Sequence, residues 1–193
     1  MTSNLWFRGA ALAALAVLAP ASPALAATPG WIVDKAASRL TFRSVFAGAA
    51  VTGAFRRWDA QIAFDPRALA ASKATVTIDV ASAATGNPDQ DQALPTADWF
   101  NAARFPKASF VTRSFKDLGG GRYQAVGDLT VRGVSRPLTL PFTLNITGDQ
   151  AKVSGQAVVL RNQFGVGQGQ FASAETVPYA VTVNVSLVAR RAK

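Results

Sequence analysis

Residues 127–146 read Gly-Asp-Leu-Thr-Val-Arg-Gly-Val-Ser-Arg-Pro-Leu-Thr-Leu-Pro-Phe-Thr-Leu-Asn-Ile, and their pattern decides the fold. Leu129 and Val131 alternate with polar residues before Gly133, and an apolar residue recurs at every second position after it. This alternation is typical of strands that bury one face. Two such strands joined by a short glycine-containing turn predict an antiparallel hairpin. The apolar set after the turn is Leu138, Leu140, Phe142, Leu144 and Ile146.

Two prolines interrupt the second strand of this hairpin. Pro137 and Pro141 have no backbone N–H and cannot donate to a neighbouring strand. We therefore expect this strand to lie partly at an edge or to bend there. A hairpin this long cannot bury its apolar face alone, so the rest of the chain must wrap around it.

The rest of the chain supplies further strands and one irregular segment. Between residues 89 and 105 the alternation disappears, which predicts one or two short helical turns with Asp98 near a helix start. About eight antiparallel strands with one short helical insertion predict an all-β fold, a closed or nearly closed antiparallel barrel in a single domain over residues 27–193. The alternating segments lie near residues 31–34, 40–46, 51–55, 62–64, 76–80, 108–118, 153–160 and 179–187.

The first residues have the features of an export signal. Arg8 precedes an apolar run over residues 9–20, which is shorter than the roughly 20 residues that span a bilayer. The small residues Ala24 and Ala26 then flank Leu25, as at a signal-peptide cleavage site. We expect residues 1–26 to be removed and the domain to work in the periplasm.

Composition excludes several classes of site. The 193-residue chain has no Cys and no His, so it lacks thiol nucleophiles, the commonest general base and the usual transition-metal ligands. We expect no metal site and no covalent cofactor. Without Arg8 the formal net charge falls from +9 to +8, and the basic residues are scattered. Scattered charge favours peripheral contact with an anionic membrane over nucleic-acid binding.

Carboxylates are the remaining candidates for catalysis. Asp89 with Asp91, or Asp128 with another Asp, would be needed for acid–base work on an amphiphilic substrate. The simpler interpretation is that Asp89, Asp91 and Asp98 serve turns and helix caps. Asp128 is expected to face solvent or to pair with Arg132. The sequence therefore predicts no catalytic residue, with a periplasmic Asp-dependent enzyme as the alternative.

Several short motifs together resemble one family. In order they are Val51-Thr-Gly-Ala-Phe55, Thr85-Gly-Asn87, Asp91-x-x-Leu94, Asp98-Trp-Phe100, Arg104-Phe-Pro106, Gly127-Asp-Leu-Thr-Val-Arg-Gly-Val134 and Phe164-Gly-Val-Gly167. They resemble the YceI-like, polyisoprenoid-binding family of secreted bacterial proteins over roughly residues 30–188. The resemblance implies an extended lipocalin-like barrel that holds a long isoprenoid lipid, either a polyprenyl phosphate or an isoprenoid quinone. It also implies a b-type cytochrome membrane protein as a partner.

The lipid-contacting residues follow from the inward strand faces and the aromatic motifs. An eight-stranded barrel is just wide enough either to fill with side chains or to enclose one ligand. Each buried methylene contributes roughly 0.8 kcal/mol, whereas association costs about 4–15 kcal/mol, so a cavity of this kind favours a long chain. The alternative is that the same side chains form a solid core. The candidate ligand-binding residues are Phe42, Phe55, Trp99, Phe100, Phe110, Leu129, Phe142 and Phe164.

Overall fold

The computed structural model describes residues 28–193, so the predicted signal peptide lies outside the described residues. Within that range the chain forms eleven strands and one α-helix. The helix is α1 (Pro88–Ala93). The strands are β1 (Gly30–Val33), β2 (Arg39–Phe46), β3 (Ala49–Phe55), β4 (Trp58–Ala63), β5 (Lys73–Asp79), β6 (Ala83–Ala84), β7 (Lys107–Gly119), β8 (Arg122–Val131), β9 (Val134–Thr147), β10 (Gln150–Leu160) and β11 (Ala180–Arg191).

These strands close into an antiparallel barrel of eight. The six short strands form three composite strands of the barrel wall. These are β1 with β2, β3 with β4, and β5 with β6. The other five strands follow in chain order from β7 to β11. Closure comes from β11, which pairs with β2 through one half and with β1 through the other. The predicted all-β barrel with one short helix is confirmed.

The hairpin predicted from residues 127–146 is formed by β8 and β9. Val131 pairs with Val134, so the turn contains only Arg132 and Gly133. Both turn residues have positive φ, 50° and 74°, as the tight turns that follow strand twist require. Arg132 also donates hydrogen bonds to the carbonyl oxygens of Ala97 and Trp99. The turn thereby holds the segment between β6 and β7 in place.

The two prolines act as the sequence predicts. Strand β9 pairs with β8 from Val134 to Thr143, but it pairs with β10 only from Phe142 to Thr147. Pro141 lies at the first position beyond that ladder, and Pro137 lies further along the same stretch. With no N–H to donate, neither proline can extend the pairing to β10. In the described chain, β9 is therefore an edge over the half that contains both prolines.

The helix of the insertion lies earlier in the chain than the helix start expected near Asp98. Asn87 caps α1, because its side-chain Oδ1 accepts hydrogen bonds from the backbone N–H groups of Asp89 and Gln90 at 3.0 and 3.2 Å. The expectation that Asp98 lies near a helix start is wrong. Its carbonyl oxygen instead accepts the N–H groups of Gly167 and Gln168, which joins two loops at the same end of the barrel. Asn is a favourable residue at this position because its carboxamide oxygen can accept hydrogen bonds from the N–H groups of the first helical turn.

The two ends of the barrel differ in their contents. One end, called the floor, carries the turn at residues 119–121 and the turn after β9. The other end, called the mouth, carries the β2–β3 hairpin, the insertion at residues 85–106 and the loop at residues 161–179. An aromatic cluster fills the floor: Trp31, Phe64, Phe115, Tyr123 and Phe142.

Candidate functional site

A cavity of about 610 Å³ runs through the barrel from the floor toward the mouth. Its wall is almost wholly apolar and includes the inward faces of the long strands. Many inward side chains, among them Val76, Leu140 and Val183, are only half-buried although they point into the barrel. The barrel therefore encloses an open space instead of a solid core, with a volume in the usual range for small-molecule sites.

All eight predicted ligand-binding residues line this cavity. The ring of Phe42 packs on Phe55 with centroids 5.4 Å apart, and Phe55 packs on Phe100 at 5.9 Å. Gly53 makes this arrangement fit, because a side-chain carbon there would lie 2.2 Å from the Phe42 ring. Trp99, Phe110, Leu129, Phe142 and Phe164 complete the set. Whether these residues touch a ligand stays a prediction.

Phe142 has two roles in the packing. It lines the cavity and also belongs to the floor, where its ring stacks on Tyr123 at 5.5 Å with an interplanar angle of 23°. Phe64 and Phe115 each lie 6.3 Å from it in edge-on contact. The ring of Phe142 therefore belongs both to the floor cluster and to the cavity wall.

The cavity meets solvent between the β2–β3 hairpin and α1. Among its lining residues, the four that are exposed all lie there: Val45, Phe46, Asn87 and Asp89. Phe46 packs on Phe171 with centroids 6.2 Å apart, and Phe171 packs on Trp99 at 5.1 Å. These aromatic rings lead from the exposed hairpin tip to the cavity wall.

The acidic residues near the mouth serve the backbone. The Asp91 carboxylate accepts hydrogen bonds from the Thr85 N–H at 2.6 Å, the Thr85 hydroxyl at 2.8 Å and the Gly86 N–H at 3.3 Å. These donors, led by the Thr85 N–H, lower the pKa of Asp91, so it stays ionised. This is the turn chemistry expected for Asp91.

Asp128 forms an ion pair with a different arginine from the one that the sequence suggests. It lies 3.4 Å from Arg113 on the neighbouring strand β7, and Arg132 turns away to the insertion. Of the two alternatives for Asp128, the pair with Arg132 is therefore wrong, whereas the carboxylate does face outward, with a side chain that is 39% exposed. The reason is the turn, since the positive φ of Arg132 directs its side chain off the β8 face.

Arg161 is a cavity-lining residue that the sequence reading missed. Its side chain is 3% exposed, and all five of its N–H groups donate to backbone carbonyl oxygens. Burial lowers the pKa of the guanidinium, and Tyr179 partly opposes this effect. The signal was available, because Arg161 continues the inward parity of Val153, Ala157 and Val159. The acceptors are Val166, Gly167, Ser173, Val177 and Pro178.

Among residues 28–193, no group of three or more His, Cys, Asp or Glu side chains is arranged to hold a metal ion. No helix in that range has both the length and the apolar character needed to cross a bilayer.

Comparison with solved structures places this barrel among known folds. BcnA of Burkholderia cenocepacia is 33% identical, with a TM-score of 0.78 over 81% of this chain and 98% of that chain. A YceI protein of Campylobacter jejuni is 27% identical, with a TM-score of 0.64 over 74% and 85%. A polyisoprenoid-binding domain from Saccharophagus degradans shares the fold at 15% identity and a TM-score of 0.64, over 84% and 98%.

Sequence comparison gives the family. A UPF0312 protein of Pseudomonas syringae pv. tomato is 29% identical over 182 residues, 90% of this chain and 93% of that protein. Protein YceI of Escherichia coli O157:H7 is 38% identical over 97 residues, half of each chain. Residues 31–189 match the YceI-like domain. That match covers almost the whole barrel, and the chain belongs to the YceI-like family.

Proposed function

We propose that this protein is a periplasmic binding protein that holds a long-chain isoprenoid lipid inside its barrel. The observation that carries the proposal is the apolar cavity of about 610 Å³, whose exposed lining residues all lie at the mouth. The name of the Saccharophagus relative, a polyisoprenoid-binding domain, supports the same ligand class. The proposed ligand is a polyprenyl phosphate or an isoprenoid quinone.

The length of the cavity favours a long tail over a short apolar molecule. Each buried methylene contributes roughly 0.8 kcal/mol, and association costs about 4–15 kcal/mol in lost freedom. A short fragment barely offsets that cost. A tail that reaches from Phe46 at the mouth to Phe142 at the floor buries enough carbon to exceed it.

The first experiment identifies the ligand directly. Protein purified from the periplasm without detergent is analysed by native mass spectrometry, and the extracted lipid is then identified. We expect one lipid with an isoprenoid tail per chain. A protein that carries no lipid and binds no added isoprenoid would contradict the proposal.

A matched pair of variants tests whether the lipid occupies the cavity. Val159 lines the cavity, whereas its neighbour Val158 is 57% exposed on the outer face of β10. Val159→Arg places an unpaired cation in the apolar space and should reduce lipid affinity by at least about tenfold. Val158→Arg should bind as the wild type does. Equal affinities for the two variants would place the lipid elsewhere.

Binding is favoured over catalysis by the state of the carboxylates. Asp91 is held by three hydrogen bonds, and Asp128 faces Arg113 on the outer side of the sheet. Asp89 alone remains at the cavity wall, and paired acid–base work requires two groups. We propose that the protein is not an enzyme.

Location and membrane contact are part of the same proposal. Residues 1–26 are proposed to direct export, so N-terminal sequencing of periplasmic protein should begin at Ala27, and a mature chain that retains Met1 would contradict this. The hairpin tip, residues 45–50, consists of exposed Val, Phe, Ala and Gly beside the mouth. An apolar tip on a chain of net positive charge is suited to an anionic bilayer. A b-type cytochrome membrane protein is a further proposed partner.

Flotation with vesicles of phosphatidylcholine and phosphatidylglycerol tests the membrane contact. Phe46→Asp at the mouth should weaken binding to the vesicles, because it places a carboxylate on the tip. Leu118→Asp is the matched control, since Leu118 is an exposed apolar residue near the floor. Equal loss in both variants would indicate a contact that does not involve the mouth.

A further inference from the structure

One buried hydroxyl in the cavity wall has no hydrogen-bond partner. Ser44 continues the inward face of β2 between Phe42 and Phe46, and its Oγ is buried without an acceptor or donor anywhere in residues 28–193. It pairs in register with Val51, two positions from the hairpin turn, so it lies just inside the mouth. A buried hydroxyl without a partner costs free energy. Rotation of the short Ser44 side chain toward the cavity would let its hydroxyl bond a ligand atom, which would remove that cost.

Two carboxamides line the same end of the cavity. Gln90 is half-buried on the inner side of α1, and its side chain makes no hydrogen bond within the described part of the chain. Asn87 uses its Oδ1 to cap α1, which leaves its Nδ2 group without an acceptor among residues 28–193. Together Ser44, Asn87 and Gln90 form what we call the polar rim. The rim offers uncharged donors and one free amide oxygen.

The charged groups that line the cavity do not favour an anion. Arg161 is the only Lys or Arg among the described lining residues, and each of its five N–H groups already donates to a backbone carbonyl. It therefore has no donor left for a phosphate group, which an arginine often binds through two parallel N–H···O hydrogen bonds. Asp89, at the opening, adds a negative charge that repels phosphate.

We propose that the polar rim is a head-group site for an uncharged carbonyl or hydroxyl oxygen, and that it discriminates against a phosphate. This inference rests on the proposed function, because it presumes an isoprenoid tail in the apolar cavity. The Ser44 hydroxyl and the Gln90 amide donate to the head-group oxygen from β2 and from α1. Quinones and polyprenols present such an oxygen, and polyprenyl phosphates present a charge instead.

The test compares three ligands with the same tail length: an isoprenoid quinone, a polyprenol and a polyprenyl phosphate. Their affinities are measured on lipid-free protein by competition in native mass spectrometry. The quinone and the polyprenol should bind at least about tenfold more tightly than the phosphate. Equal or tighter binding of the phosphate overturns the head-group inference alone. Failure of all three to bind overturns the proposed function and this inference with it.

Two variants locate the site. Ser44→Ala should weaken quinone binding by about three- to tenfold, the range for one lost hydrogen bond, and should leave squalene, which has no head group, unaffected. Ser154→Ala, on the outer face of β10, is the matched control. Gln90→Arg adds a free cation to the rim and should shift preference toward the phosphate. Unchanged quinone affinity in Ser44→Ala, or equal losses for quinone and squalene, contradicts the proposal.

Discussion

The floor and the mouth of this barrel both carry inward-facing aromatic side chains, but those side chains pack differently. At the floor, Phe64 is 6% exposed and lies against Phe115 and Tyr123 at 5.0 and 5.7 Å in edge-on contact. At the mouth, Phe46 is 36% exposed and meets only Phe171 among the described aromatic residues. The alternation of a strand therefore determines which side chains point inward, but it does not determine whether those side chains contact one another.

The largest expected effect comes from breaking the floor. Phe64→Ala removes the ring at the centre of the aromatic cluster and should lower the free energy of unfolding by about 3–5 kcal/mol. Phe46→Ala at the mouth should lower it by less than about 1.5 kcal/mol, because that ring is exposed and has one aromatic neighbour. Urea unfolding of both variants measures the difference. Equal losses would contradict the division into a packed floor and an open mouth.

An intermediate effect is expected at Phe142, where the floor meets the cavity. Its ring stacks on Tyr123 but is half-exposed to the cavity, so Phe142→Ala should cost about 1–3 kcal/mol in the lipid-free protein, below the range for a fully buried Phe. The same variant should also bind a long-chain polyprenyl ligand more weakly. Stability and affinity must be measured together on lipid-free protein. Severe destabilisation with unchanged affinity in the folded fraction would assign Phe142 to the core alone.

The sequence predicted the wall of this barrel well because strand patterns are local. Alternation over residues 127–146 located β8, β9 and their turn, and the two prolines located the unpaired half of β9. The same parity rule placed five of the eight candidates on the cavity wall, namely Phe42, Phe55, Phe110, Leu129 and Phe142, and the aromatic motifs gave Trp99, Phe100 and Phe164. Each of these predictions depends only on residues that are close together in the sequence, which is why the structure agrees with them.

The mouth was harder to predict because its contacts join distant segments. Arg161 is held by the loop that follows it, up to Pro178, and Asp98 meets that loop through its backbone carbonyl. Neither contact leaves a period in the sequence. Ser44 and Arg161 share the inward parity of apolar residues, so polar side chains at inward positions were the available signal. The state of the cavity also depends on how far apart opposite walls stand, which no local pattern encodes.

The smallest expected effect is the stability that the Asp91 carboxyl at the mouth contributes at neutral pH and loses in acid. The pKa of Asp91 is lowered, first by the Thr85 N–H, then by the Thr85 hydroxyl, the Gly86 N–H and the charge of Arg56. A carboxyl whose pKa is lower in the folded chain stabilises it fully above its unfolded pKa of about 3.9, and that contribution is lost as pH falls through the folded value. Asp91→Asn should therefore be less stable than the wild type at neutral pH, and the difference should shrink below about pH 4.

Urea midpoints of the wild type and Asp91→Asn, measured from pH 7 down to about pH 3, provide the test. The comparison is needed because Asp59 and Asp65 also have lowered pKa values, so the wild type alone loses stability in acid for several reasons. Those two carboxyls are present in both proteins and cancel in the difference. A gap that stays constant or widens as pH falls would show that the Asp91 carboxylate does not hold the start of the insertion. The mouth would then owe its shape to the hydrogen bonds that Arg132 and Arg161 donate to backbone carbonyl oxygens.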